Sequence, residues 1–294
     1  MATEGYVTTQ DGVRLFFVAV GDGAATILFP NGLYLFDDFA YLASKHRIVF
    51  YDVRNRGRSD AVADRARLER GIQHDVDDID CVRRHFNVDR TTVIGHSYVG
   101  VTAALYAMRY ATRVDRVVQI GPMPPNQATV YPPELSNEDE TLRNVLAAIA
   151  ELQKERPSMD PVAFCEKFWA TLRPIYVADP ADAGRIKWSR CDLPNERNFM
   201  KPMMEYIMPS IQRLALGDAD FAAATAPVLT IHGTKDRSAP YGAGRDWARR
   251  LPNARLLTVT GAAHAPWIEA PDRVFDAVST FFDGNWPADA EKVS

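Results

Sequence analysis

The sequence predicts an α/β protein whose mostly parallel sheet is flanked by helices and interrupted once by a helical insertion. Three observations carry this. Short apolar, β-branched runs alternate with helical stretches as far as Ile120. No convincing strand pattern follows from about Pro122 to Asp220, where prolines, methionines and helical segments dominate. Strand periodicity then returns at Val228. The expected division is a core of residues 1–121 and 221–294 carrying a helical cap at 122–220.

Val13 to Val20, Thr26 to Phe29 and Arg47 to Tyr51 read as strands, as do Thr91 to Ile94 and Arg116 to Ile120. Beyond the insertion, Val228 to Ile231 and Arg255 to Val259 complete the readable set. In Glu69 to Phe86 the residues Ile72, Val76, Ile79, Val82 and Phe86 recur at spacings of three and four, which makes one stripe of a helix. The acids among them (Asp75, Asp77, Asp78 and Asp80) read as a solvated helix face rather than a calcium site. Val99 to Tyr110 is an alanine-rich helix and Asp272 to Phe282 a closing one, with the last eight or so residues frayed.

The length of 294 residues suits one large domain with an insertion. A net charge of −4 gives no electrostatic reason to expect nucleic acid or anionic lipid as a partner. No apolar run is long enough to span a membrane, and no basic-then-apolar leader opens the chain. Cys81, Cys165 and Cys191 are odd in number and widely spaced, so reduced thiols in a cytoplasmic protein are expected, with no metal site and no cofactor. A monomer or homodimer acting on a small molecule fits this picture.

The strongest local signal is Val93-Ile94-Gly95-His96-Ser97-Tyr98-Val99-Gly100. A strand runs into a Gly-x-Ser turn and a small-residue helix follows, which is the context of a nucleophile elbow. Val99 stands where glycine is usual, with Gly100 one place later. Serine needs a base within hydrogen-bond reach. His96 reads as a packed residue of the turn. Of the six histidines, His264 alone follows the last strand in an active-site loop, Thr260 to Trp267. In the order Ser, Asp, His, the acid is Asp236, in the loop after the penultimate strand. The position after Ile120 carries no carboxylate before Glu134.

These residues resemble the α/β-hydrolase superfamily, and within it the capped enzymes similar to proline iminopeptidases and epoxide hydrolases. Four further pieces resemble theirs: Asp52 to Asp60, the histidine loop His264 to Pro271, the acid loop His232 to Asp236, and Pro30-Asn31-Gly32-Leu33 in the place of a His-Gly pair. The resemblance implies an α/β-hydrolase fold with eight strands. It implies that the amides of Leu33 and Tyr98 form the oxyanion hole. Asn31 replaces the family's usual histidine, and Tyr34 either lends a hydroxyl to the site or packs. In the cap, Met204 lies in a methionine-rich run, and Met204, Trp267, Asn31 and Tyr34 are the expected substrate contacts.

The expected activity is a serine hydrolase cleaving a carboxylic ester, lactone or thioester of a small apolar substrate through an acyl-enzyme on Ser97. The alternatives are an aminopeptidase similar to proline iminopeptidases, a C–C bond hydrolase, and a ligand-binding protein without turnover. Ser97 at the elbow departs from haloalkane dehalogenases and epoxide hydrolases, which carry aspartate there. Glu205, the sole acid of the methionine run, is expected to be solvated.

Overall fold

Every strand read from the sequence reappears, within two residues at each end, in a computed structural model that describes residues 2–294. The strands are β1 (Thr3–Thr8), β2 (Arg14–Val20), β3 (Thr26–Pro30), β4 (Arg47–Tyr51), β5 (Thr91–His96), β6 (Val114–Ile120), β7 (Val228–Gly233) and β8 (Ala254–Val259). They form one sheet in the order β1-β2-β4-β3-β5-β6-β7-β8, in which only β2 runs against its neighbours. The fold is thus an α/β-hydrolase fold with a mostly parallel eight-stranded sheet and an inserted helical region. The strand that sequence reading did not locate is β1, an edge strand in which Val7 alone is buried.

Period-two alternation sorts the core into two layers. Leu28, Val49, Val93, Val117 and Val228 face the helices Ile72–His85 and Tyr98–Arg109. Phe29, Phe50, Ile94, Val118 and Ile231 face the other way, against Val274, Val278 and Phe281 of the helix Pro271–Phe282.

Between β6 and β7 the chain is helical, with Glu140–Glu155 and Pro161–Leu172 as its long elements. The methionine run is a bent helix, α-helical at Met200–Pro202, a π-turn at Met203–Ile207, then α-helical again at Met208–Gln212. Pro202 and Pro209 supply no N–H to its ladder, which accounts for the irregular turn between them. The helix Asp218–Ala223, at the end of this segment, packs on Tyr98–Arg109 of the core.

Three expectations need correction. Asp75, Asp78 and Asp80 are not a solvated face: each is buried, because arginines reach in to meet two of them. Arg54 bonds Asp78 and Asp11, and Arg83 bonds Asp80. Cys165 and Cys191 are not free thiols but a disulfide; the insertion doubles back and brings their Cα atoms to 5.8 Å, within bridging range. The C-terminal segment is pinned rather than frayed, since Glu291 exchanges two backbone hydrogen bonds with Leu256 and Ala290 is buried. No helix among the described residues is long and apolar enough to cross a membrane.

Candidate active site

The elbow is built by backbone geometry. Ser97 has φ 59 and ψ −127, a strained conformation for a residue with a side chain, between β5 and the helix that begins at Tyr98. A side chain at Gly95 would sit 2.3 Å from the Val99 carbonyl, so only glycine fits there. Val99 itself, the departure from the usual motif, turns its side chain into the core. The close approach falls on Gly100 instead, where a Cβ would lie 3.0 Å from Pro122.

The loop after β3 begins with Asn31 in the left-handed region, φ 53, which asparagine tolerates better than most residues. It leads into the short 3₁₀ turn Leu33–Leu35. Leu33 and Tyr98 are therefore each the first residue of a helical turn, where an N–H has no intrahelical acceptor.

Asp236 and His264 come together from the ends of β7 and β8. His264 Nδ1 lies 2.7 Å from Asp236 Oδ2, and both side chains are fully buried. The other carboxylate oxygen, Oδ1, accepts the Ser238 and Ala239 N–H groups. Burial by itself would raise the Asp236 carboxyl. The charge of His264 and hydrogen bonds from His232 and His264 overcome this and hold it well below the usual carboxylate range. Among the described residues His264 Nε2 has no hydrogen-bond partner, and Ser97 is not bonded to it. Such links commonly close only around substrate.

Sequence reasoning missed several supporting residues. His232 Nε2 stands 3.1 Å from Asp236 Oδ2 and 3.0 Å from the Ala239 carbonyl. Glu269 accepts the N–H groups of Ala263 and Ala178, tying the histidine loop to the insertion. His96 is packed as expected, and it also bridges two loops. Its Nε2–H donates to the His264 carbonyl at 3.0 Å, which leaves Nδ1 to accept the Tyr34 hydroxyl at 2.6 Å. Burial, and then the neighbouring His264, push the His96 imidazole well below its ordinary value, so it stays neutral. The spacing Ile231-His232-Gly233 offered no hint, because the contact depends on how the loop folds back.

A cavity of about 260 Å³ opens over Ser97, under the insertion. Asn31, Tyr34, His96 and Tyr98 form its floor, and Phe168, Trp169, Tyr176, Trp188 and Phe199 its aromatic wall. Trp169 and Trp188 stack with ring centroids 4.5 Å apart. Met203 and Met204 are at the cavity too, Met204 at the rim with 57% of its surface exposed. Trp267, expected as a substrate contact, is corrected: it does not line the cavity. It is buried beneath the floor, edge-on to the His96 ring, with its indole N–H on Asp38. Glu205 is exposed. Among the described residues Arg56 is the only charged one at the cavity wall. Among the described residues no three His, Cys, Asp or Glu side chains are arranged to hold a metal ion.

The strained serine after β5, the buried Asp–His pair after β7 and β8 and the apolar chamber all lie at the carboxyl ends of the parallel strands, where sites of α/β sheets gather. The chain belongs to the family described as the alpha/beta hydrolase fold, whose family model matches residues 29–271. It is 28% identical to a bifunctional esterase/perhydrolase of Acinetobacter calcoaceticus, over 90% of this chain and 95% of that one. It is 23% identical to a 2-hydroxymuconate semialdehyde hydrolase of Pseudomonas putida, over 89% of this chain and 84% of the relative. Among solved structures, an esterase from Exiguobacterium antarcticum superposes with a TM-score of 0.72 at 17% identity, covering 96% of this chain and 100% of that one. A meta-cleavage product hydrolase from Pseudomonas fluorescens does so with a TM-score of 0.71 at 20% identity, covering 95% and 97%.

Proposed function

We propose that this protein hydrolyses a carboxylic ester, or a related lactone or thioester, of a small apolar substrate through an acyl-enzyme on Ser97. The observation that carries the reading is the His264–Asp236 contact, 2.7 Å, with His264 Nε2 buried and unpartnered among the described residues, its ring against His96, which lines the cavity that contains Ser97. In this mechanism His264 Nε2 takes the Ser97 proton as Oγ attacks the carbonyl carbon. The tetrahedral oxyanion is held by the Leu33 and Tyr98 N–H groups, the leaving alcohol receives the proton, and water repeats the sequence on the acyl-enzyme. Asp236 holds the imidazole in the right tautomer.

The similarity to the esterase/perhydrolase supports an ester substrate. An aminopeptidase would need a carboxylate to receive the substrate's ammonium group. No Asp or Glu lines the cavity, and Glu205 faces solvent. The reading is tested by labelling with a fluorophosphonate and by a screen of acyl esters beside aminoacyl arylamides. Labelling lost in Ser97→Ala, with esters cleaved, is the expected result. Folded protein that resists the label would favour a binding module, and cleavage of the arylamides alone would favour the aminopeptidase.

A further inference from the structure

Arg56 lies in the loop after β4 and Glu196 in the insertion, yet the two meet inside the protein. Arg56 Nε and Nη2 bond the Glu196 carboxylate at 3.0–3.2 Å, and the side chains are 4% and 0% exposed. The guanidinium is boxed by rings, with Phe199 at 4.2 Å, Tyr34 at 5.5 Å and Trp169 at 5.8 Å. Arg56 also lines the cavity, and among the described residues Nε and Nη2 are taken by Glu196 while Nη1 has no hydrogen-bond acceptor. Trp188, stacked on the same wall, has an indole N–H that is likewise unmatched.

Building on the esterase reading, we infer that Arg56 Nη1 is a specificity-determining donor, selecting substrates with a neutral acceptor oxygen, such as a ketone, remote from the scissile ester. Neutrality follows from charge balance. Glu196 already compensates the guanidinium, so a substrate carboxylate would meet a locally neutral pair and the repulsion of Glu196 while losing its own hydration. A ketone or ether oxygen costs little to desolvate and takes the free N–H. The aromatic wall supplies the surface against which the rest of such a molecule, an aryl group, packs.

The test uses methyl 3-(4-X-phenyl)propanoates with X as acetyl, ethyl or carboxylate, the two-carbon spacer insulating the ester from the ring substituent. Wild type should prefer acetyl over ethyl in kcat/KM by about tenfold or more, the range of a hydrogen bond to a charged donor, with carboxylate below both. In Arg56→Met/Glu196→Met, which removes both charges together so that neither is stranded, the acetyl-to-ethyl ratio should fall to near one. A wild-type ratio near one, a preference for carboxylate, or an unchanged ratio in the folded double variant overturns the assignment. If the double variant fails to fold, the wild-type ratio decides. Calorimetric binding of the same compounds to Ser97→Ala protein separates this inference from the esterase reading. If no ester is hydrolysed the esterase reading fails, while the rank order of binding still supports or overturns the role of Arg56.

Discussion

His232 Nε2 stands 3.1 Å from Asp236 Oδ2, the same oxygen that His264 Nδ1 meets at 2.7 Å. One buried carboxylate oxygen thus serves two imidazoles. Its acidity has a thermodynamic consequence. A carboxyl held below its unfolded value near 4 contributes stability that is present above that pH and lost as the pH falls below it. Asp236→Asn should therefore destabilise most at neutral pH, and its gap to wild type should close as the pH falls below about 4. Urea unfolding at a series of pH values measures this; a gap that stays constant would refute it.

The kinetic counterpart is larger. Ser97→Ala and His264→Ala should each lower turnover by several orders of magnitude, and Asp236→Asn by roughly 10⁴ through the wrong imidazole tautomer, if the serine-protease precedent transfers. Steady-state rates on the best ester, with circular dichroism to verify the fold, decide it. Near-normal activity without Ser97 sinks the mechanism.

Gly121 is the third glycine of the site, and its reason is the Asp–His pair. Its φ is +51, and a Cβ there would lie 2.9 Å from His264 Nδ1 and 3.2 Å from Asp236 Oδ2. Gly121→Ala should wedge the pair apart and reduce kcat by about 10², the cost of an ångström-scale displacement. A variant with wild-type kcat would show that the methyl is accommodated elsewhere.

Asp75 is buried, and among the described residues no cation bonds to it and its Oδ2 has no hydrogen-bond partner. Burial, with Asp78 nearby, raises its carboxyl to about 8. The folded state therefore binds this proton more tightly than the unfolded chain, and stability is lost as the pH climbs from about 4 through 8. Asp75→Asn should stabilise the protein at pH 8, with less effect at pH 5. Equal effects at both would mean that Asp75 is ionised throughout.

The Cys165–Cys191 bridge closes a loop with a sequence separation of 26. On a chain-entropy account such a loop is worth about 3 kcal/mol. Dithiothreitol, or Cys165→Ser/Cys191→Ser, should lower Tm by several degrees without exposing the Asp–His pair, which lies outside the loop. An unchanged Tm would show that the insertion is held by its packing alone.

Most of the sheet was legible because buried strands announce themselves locally. Thr91 to Ile94 and Val228 to Ile231 are apolar runs that need no knowledge of their neighbours. Ser97, Asp236 and His264 could be singled out for a related reason, since each stands just beyond a strand end, and Asp236 and His264 do meet. What escaped reading depends on distant partners. Arg56 and Glu196 are 140 residues apart, and neither sequence neighbourhood hints at the other. Asp78 looked solvated because the helical stripe was judged alone, whereas Arg54 comes from another loop to meet it. Trp267 belongs to the histidine loop in sequence but lies beneath the floor in space.

The Tyr34 hydroxyl, 2.6 Å from His96 Nδ1, sets a boundary for anyone wishing to re-engineer the chamber. Trimming Tyr34 to admit a bulkier guest would strip His96 of the proton its Nδ1 leans on. The ring would then keep only its Nε2–H contact to the His264 carbonyl and be free to turn beside His264, 4.5 Å away ring to ring. Extra room at that spot would come at the expense of the contact that holds the His264 loop against the floor. Met204 is the safer place to carve, because its side chain already stands at the mouth, half in water.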